Sequence, residues 1–579
     1  KDLDQRARDF WLCGYLAYET GYALEEKFAP IRQTERARAT PLAWFGMFDR
    51  PFVFDHARGV WDRNPVRRYP EQRVWTNGQG QAHTLAHTIS CGHYSRAIAS
   101  IRRLIARGDT YQVNFTYDTR FDSRLRPFAL YLHLRQSQPA PYCAFLKNRY
   151  EHVLSFSPEL FFEKRACRIR VKPMKGTAGR GRFAAEDAAM AKALSLDPKN
   201  RAENVMIVDL LRNDLGRICE TGTVRTERLF EVETHPTLHQ MTSTVAGRLR
   251  RGVTVSDIVG NIFPSGSVTG APKIRTMEII HALERGERGV YTGMLGFVSP
   301  KHRAEFSVPI RTLHRAHADT SWRYRVGSGV VWDSNARKEW DECATKCAFL
   351  LSSRRDFEIL ETLLFCRGKA SYWRDHGARM CASAKFFGYP LPQEALRRAL
   401  VEIRNKLGST RQYRIRMLLD HRGTLRWEST PLEGWETPRF AVPDHRSAVT
   451  NPQSASQKIV LFSSKPVDER DPMLFHKTTH RPWYEEAMKK IREGRCAEIV
   501  FMNSRRQITE GSVTNIFIER DGVLFTPPVE CGLLAGVLRQ RLLKSGRCRE
   551  KILYRKDVRE ADAVYCGNSV RGLFRVHPS

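Results

Sequence analysis

Two lysines stand where an amine could act as a nucleophile. Lys175 sits in Pro173-Met174-Lys175-Gly176-Thr177-Ala178-Gly179-Arg180-Gly181, at the end of a strand-like run and among glycines, with Glu203-Asn204 further on. Lys477 sits in the polar cluster His476-Lys477-Thr478-Thr479-His480-Arg481, bracketed by Phe475 and Trp483-Tyr484. Such an amine attacks carbon when its pKa is lowered, and it can form a Schiff base with an aldehyde cofactor. Glu510, in Glu510-Gly511-Ser512-Val513-Thr514-Asn515, could keep a pyridinium nitrogen protonated. Glu339, Glu342 and Lys346 follow Gly327-Ser328-Gly329 at i, i+3 and i+7, so on a helix they share one face. Carboxylates so paired can hold a hard cation such as Mg²⁺, and the lysine can meet a substrate carboxylate. The loop Pro264-Ser265-Gly266-Ser267-Val268-Thr269-Gly270 enters a helix and offers N–H groups to an anion, but it lacks the Gly-Lys-Ser/Thr ending of a Walker loop. Singly, each has a bland explanation: a surface lysine, a turn glutamate, a solvated charge stripe, a tight turn.

The surrounding pattern supplies elements to position them. Leu160-Phe161-Phe162 and Arg168-Ile169-Arg170-Val171 read as strands, with a turn over 173–177 after the second. Glu203 to Ile218 reads as a helix with Val205, Val208, Leu211 and Leu215 at helical spacing. A second helix starts at Ala271-Pro272 and carries Ile274, Met277, Ile280 and Leu283. Strands are expected at Glu498 to Met502 and Ile516 to Ile518, on either side of Glu510. The polar run Ser352 to Asp356, after a helix ending near Leu351 and before a strand from Phe357 to Phe365, marks a boundary between domains 1–352 and 353–579. The loop-rich stretch Val442 to Lys458 is expected to join two lobes of the later domain. The chain opens without Met inside an apolar pattern (Phe10, Trp11, Tyr15), so a preceding segment is expected.

Composition narrows the class. At 579 residues and 41% hydrophobic content, the chain suits two large domains and is not disordered as a whole. No apolar run reaches the roughly 20 residues of a membrane helix, and the opening residues show no signal-peptide pattern. The 13 cysteines form neither a CxxC pair nor a zinc-spaced cluster, the usage of a cytoplasmic protein with reduced thiols. Lys+Arg number 95 against 63 Asp+Glu, a net +32 that raises nucleic-acid binding by degenerate enzyme domains as a rival reading. The arginines are spread along the whole length, with no zinc finger, RNP-type strand or basic tail, so no nucleic-acid partner is expected. The field instead draws anionic substrates.

The first-domain segments resemble the chorismate-utilising enzymes, which include anthranilate synthases, aminodeoxychorismate synthase component I and isochorismate synthases. The agreeing stretches are SFSPELFF (155–162), PMKGTAGRG (173–181), ENVMIVDLLRNDLGRIC (203–219), FPSGSVTGAPKIRTMEII (263–280), YTGMLGFV (291–298), VPIRTL (308–313) and VGSGVVWDSNARKEWDECATKC (326–347). The resemblance implies two stacked antiparallel sheets flanked by helices, with Mg²⁺ and chorismate between them. By position it implies Glu203 and Glu342, with Glu339, as metal ligands. It places Arg311, Lys346 and the Gly327-Ser328-Gly329 backbone on the substrate's carboxylates, and Tyr291, Gly266, Thr269 and Gly270 in the rest of the pocket. Lys175 stands where aminodeoxychorismate synthases have Lys and the other two groups have Ala. In that group the lysine is thought to attack C2 and expel the C4 hydroxyl before ammonia adds at C4, with the counterpart of Glu159 as general acid. Gln240 stands where many relatives have His, which suits retention of the enolpyruvyl group.

The second-domain segments resemble the fold-type IV pyridoxal-phosphate enzymes, a two-lobed α/β fold. The agreeing stretches are FEILETLL (357–364), HGARMCASAKFFG (376–388), HKTTHRPWY (476–484), ITEGSVTNIFI (508–518), GLLAGVLRQRLL (532–543) and GNSVRGL (567–573). The resemblance implies Lys477 as the Schiff-base lysine, Glu510 as the pyridine-nitrogen partner and Thr362 near the substrate. Arg379, Gly536, Val537, Leu538, Asn568 and Ser569 would form the phosphate cradle. It also implies pyridoxal 5'-phosphate and a homodimer through this domain; ammonia would come from solution or, as the first-domain resemblance implies, from a separate glutamine amidotransferase subunit. A lyase acting on aminodeoxychorismate would consume what the first domain makes. The rival is an anthranilate synthase-like domain joined to a branched-chain or D-amino acid aminotransferase.

Overall fold

A computed structural model describes residues 2–34, 40–55, 60–62, 83–235, 238–300, 303–351, 357–432 and 459–579. Two sequence expectations, the boundary run Ser352 to Asp356 and the loop Val442 to Lys458, lie outside the described residues. The chain divides into two compact units: Lys1–Gly179 with Ala191–Arg354, and Arg180–Met190 with Arg355–Ser579.

In the first unit two antiparallel sheets form, as expected. Among the described residues, one sheet has nine strands, in the order Met174–Gly179, Leu238–Arg248, Arg168–Lys172, Leu160–Arg165, Ala304–Ser307, Met294–Val298, Trp11–Leu16, Ala43–Phe48, with Arg225–Thr234 also pairing on Leu238–Arg248. The other has seven, running Gly270–Ala271, Gln112–Asp122, Trp322–Val330, Thr312–Ala316, Glu151–Ser157, Tyr142–Lys147, with Thr84–His87 on Gln112–Asp122. Helix Pro198–Gly216 buries Ile207, Val208, Leu211 and Leu215 in the core with Phe161 and Val171 of the first sheet. Helix Ala336–Leu351 buries Cys343, Cys347 and Leu350 with Phe115 and Tyr324 of the second. Both helices thereby turn their polar faces away from a core.

Three expectations shift. The turn over 173–177 is part of the strand Met174–Gly179, paired with Leu238–Arg248 through a register shift between Met174 and Thr177. Gly176 takes φ +88 in this irregularity, which glycine alone adopts without strain. The helix expected from Glu203 starts at Pro198, because the Asp197 side chain caps it by accepting from Asn200 N (2.7 Å). Val205 is exposed, and Ile207 takes the core position assigned to it. The helix expected at Ala271-Pro272 runs Lys273–Leu283, with Pro272 as its N-cap.

The second unit has two lobes. Among the described residues, one is a four-stranded antiparallel sheet, Lys369–Ala370, Ile359–Cys366, Tyr413–Leu419, Leu425–Pro431, sharing a core with Met380 and Ala384 of helix Trp373–Phe387 and Ile403 of helix Gln393–Leu407. The other is an eight-stranded mixed sheet in which Ile459–Phe462 lies parallel to both neighbours, Glu498–Met502 and Gly572–Pro578. Glu498–Met502 begins and ends where expected, and the expected strand at 516–518 lies within Asn515–Arg520. Among the described residues no helix is long and apolar enough to cross a membrane.

Candidate active sites

In the first unit the Lys175 amine reaches across to the other sheet. A Cβ on Gly329 would stand 3.1 Å from Lys175 Nζ and 3.0 Å from Gln112 Nε2, so the bare Gly329 backbone is what lets both groups in. Burial pulls the Lys175 amine below its ordinary pKa, reinforced by the Lys346 charge, while Glu203 and Glu159 pull the other way. Glu159 is buried and accepts from Ser267 Oγ (2.5 Å). Burial pushes its carboxyl up to about 7, against the opposing effects of Ser267 and Lys175. A carboxyl poised near neutrality and a lysine whose burial favours its uncharged form are groups that could serve as an acid and a nucleophile.

Glu203, on helix Pro198–Gly216, has its carboxyl raised by burial and by the Glu339 and Glu342 charges, against Lys175 and Lys199. Lys346 bridges to Glu342 Oε1 (2.7 Å) and donates to Gly327 O (2.9 Å), which ties the predicted helix face to the Gly327 strand. Among the described residues no group of three or more His, Cys, Asp or Glu side chains is gathered closely enough to hold a metal. The three glutamates thus do not close around an ion as they stand, since the Glu342 carboxylate is paired with Lys346. They still suit Mg²⁺: their mutual repulsion at Glu203 is what a cation relieves, and Mg²⁺ commonly takes one or two carboxylates, substrate oxygens and waters.

The remaining first-domain candidates are placed variously. Arg311 has φ +52, and its Nη1 is buried with no hydrogen-bond partner, an orphaned donor that a substrate carboxylate would satisfy. Burial lowers its pKa. Gly266 and Gly270 sit in close quarters, where a Cβ would come within 2.3 Å of Leu210 Cδ2 and 2.0 Å of Gln112 O respectively. The Thr269 hydroxyl is spent on Ser265 O (2.9 Å), and Ser328 Oγ meets Tyr94 Oη (2.8 Å). Tyr291 is buried beside the charges of Arg288, Arg325 and Glu284. Gln240 donates to Gly176 O (2.7 Å), so it braces the irregularity beside Lys175. Gln112, whose side-chain N and O are both buried without partners, escaped the sequence reading, as did Ser267's bond to Glu159.

In the second unit Lys477 is half-buried on the stretch that meets strand Ile359–Cys366, where Leu360 N donates to Lys477 O (2.8 Å). Burial brings its amine down to about 7, helped by Arg379 and Arg481 and opposed by Glu361 and Glu510. Glu510, on strand Ile508–Gly511, accepts from Tyr484 Oη (2.9 Å) and Asn515 Nδ2 (3.2 Å), and burial pushes its carboxyl up to about 7. Arg379 makes two 2.7 Å bonds to the Glu361 carboxylate and one of 3.1 Å to Ala535 O. Gly536 is the N-cap of helix Val537–Lys544, so Val537 and Leu538 offer helix-start N–H groups to an anion, while Gly536 N already donates to Leu534 O (2.8 Å). Asn568 Oδ1 accepts from Val570 N and Arg571 N, and Ser569 Oγ lies 3.5 Å from Thr362 O. Glu361 and His376, joined at 2.6 Å, went unseen in the sequence although both fall inside quoted motifs. An amine near neutral, a buried acid 33 positions on and a helix-start anion cradle fit pyridoxal phosphate.

Residues 1–352 match the family of chorismate binding enzymes. The chain belongs to that family. Residues 358–578 match amino-transferase class IV. This chorismate binding enzyme is 46% identical over 259 residues to an aminodeoxychorismate synthase of Streptomyces griseus, covering 45% of this chain and 36% of that protein. It is 32% identical over 371 residues to aminodeoxychorismate synthase component 1 of Bacillus subtilis (strain 168), covering 60% of this chain and 77% of the relative. Anthranilate synthase component I from Streptococcus pneumoniae superposes with a TM-score of 0.53 at 25% identity, over 60% of this chain and 84% of that one. The chain therefore spans little more than a third of the length of the Streptomyces griseus relative.

Proposed function

We propose that the chain makes 4-aminobenzoate in two steps: chorismate and ammonia give 4-amino-4-deoxychorismate and water in the first unit, and the second eliminates pyruvate. The observation that carries this reading is the Lys175 amine held against Gly329 beside an acid of pKa about 7. Lys175 Nζ attacks ring C2, both ring double bonds shift toward C4, and the C4 hydroxyl leaves as water with a proton from Glu159. Ammonia then adds at C4 and expels Lys175, so the enolpyruvyl group stays. Arg311 and Lys346 bind the carboxylates. Glu203, with Glu339 and Glu342, would hold Mg²⁺, which polarises the bound substrate.

In the second unit Lys477, Glu510, Arg379 and the Gly536-Val537-Leu538 turn, with Asn568 and Ser569, would hold pyridoxal phosphate, which withdraws electrons from the carbon bearing the substrate amine. Lys477 then removes the C4 proton, Thr362 lies along the substrate, and loss of pyruvate leaves an aromatic ring. Ammonia comes from a glutamine amidotransferase partner, and the second unit pairs with its own copy.

The chain given chorismate, Mg²⁺, ammonium and pyridoxal phosphate should yield 4-aminobenzoate, identified by chromatography and mass. Lys175→Ala should abolish aminodeoxychorismate formation, whereas Lys477→Ala should let it accumulate and remove the absorbance of lysine-bound cofactor. Formation of 2-aminobenzoate, or unchanged 4-aminobenzoate from Lys477→Ala, would overturn the assignment.

A further inference from the structure

Glu510 and Gly536 belong to different elements, and one side chain reaches both. Asn515 opens the strand Asn515–Arg520 and is 6% exposed. Its Nδ2 donates to Glu510 Oε2 (3.2 Å) and to Leu534 O (3.0 Å). Its Oδ1 lies 2.0 Å from where a Cβ on Gly536 would stand, so only glycine fits there while the amide holds its place. Gly536 N donates to the same Leu534 O (2.8 Å). Across the sheet Asn515 pairs with Gly567, next to Asn568.

We infer that Asn515 is a positioning residue, a strut that sets the spacing between the Glu510 carboxylate and the Gly536 turn in a site for a rigid pyridine bearing a phosphate. The inference rests on the pyridoxal-phosphate reading above. A rigid ligand gripped at both ends needs the two grips at one separation, and displacing either forfeits well-aligned hydrogen bonds. An amide suits the task because its NH₂ serves two acceptors while its oxygen packs on glycine. A carboxylate of the same shape offers no donor and would face Glu510 Oε2 and Leu534 O with a third acceptor.

The test uses the full chain stripped of cofactor. Three quantities are read: the dissociation constant for pyridoxal phosphate, the pH midpoint of the bound cofactor's absorbance, and the melting temperature of the cofactor-free chain. Asn515→Asp should weaken cofactor binding by about 10- to 100-fold, the loss expected from an unsatisfied buried polar contact. It should also raise the pH midpoint, because an added negative charge favours protonated forms, while the cofactor-free chain, though its melting temperature falls, stays folded at the assay temperature. Gly536→Ala, which displaces the amide and leaves residue 510 unsubstituted, should weaken binding in the same range, and it decides the matter if Asn515→Asp does not fold. Unchanged affinity and midpoint in a folded variant overturn the inference, as does a drop in cofactor-free melting that accounts for the lost affinity. An unsubstituted chain that takes up no pyridoxal phosphate instead sinks the cofactor reading beneath it.

Discussion

At the scale of single residues, burial does the tuning. Glu159, Glu510 and Lys477 each come to a pKa of about 7, the carboxyls from below and the amine from above. The Glu159 shift has a stability consequence of definite sign. Its folded pKa exceeds its unfolded one, so the folded chain binds more protons between about pH 4.5 and 7. The group's contribution is fully present below that window and is lost as pH rises through it. Glu159→Gln, which cannot ionise, should therefore leave stability near pH 4 unchanged and raise it at pH 8, by at most about 3 kcal/mol at 1.36 kcal/mol per pKa unit. Activity should move the other way, with kcat for aminodeoxychorismate formation falling by about 10²-fold or more for loss of a general acid. Paired melting and rate measurements at the two pH values check both; a variant less stable at pH 8 than the parent would show that the carboxylate is not strained.

At the scale of elements, the two glycines of Gly327-Ser328-Gly329 do different jobs. A Cβ on Gly327 would strike Phe115 O at 2.1 Å, backbone against backbone, so alanine there should cost the sheet itself. The atoms nearest to a Cβ on Gly329 are the ends of the Gln112 and Lys175 side chains, at 3.0 and 3.1 Å. Gly329→Ala should therefore fold and melt like the parent, yet lose on the order of 10²-fold in kcat, because a misplaced nucleophile forfeits its alignment. Circular dichroism and initial rates separate the two effects, and an equally active Gly329→Ala would remove Lys175 from the chemistry. Helix spacing made the Glu339, Glu342 and Lys346 face legible in the sequence, because a helix is a local period. The Lys175 strand was not legible. Its glycines read as a turn, and the pairing that makes it a strand comes from Leu238–Arg248, far along the chain. Gln112 lies in a strand where a lone glutamine carries no pattern, and only the fold sets its amide beside Lys175.

At the scale of the whole molecule, the residues assigned to each reaction lie within one unit. Lys175, Glu159, Glu203, Arg311 and Lys346 fall in the first, and Thr362, Arg379, Lys477, Glu510 and Gly536 in the second. On the proposed function, neither amine needs the other's unit to be chemically competent. If so, Lys175→Ala and Lys477→Ala chains should complement each other: the Lys477→Ala chain releases aminodeoxychorismate and the Lys175→Ala chain consumes it. At matched concentrations of intact sites, a released solute does not distinguish tethered from untethered sites once it has built up. The mixture should then reach the parent's steady rate of 4-aminobenzoate formation within about twofold, the residual tethering advantage showing mainly as a shorter initial lag in the parent. The net charge of +32 favours retention of a dicarboxylate near either site, so that lag should lengthen as salt screens the field. Stopped-time assays of product against protein dilution and salt decide the point. A mixture that stalls at the intermediate, while the parent runs at full rate, would mean that the intermediate passes between the sites without entering solution.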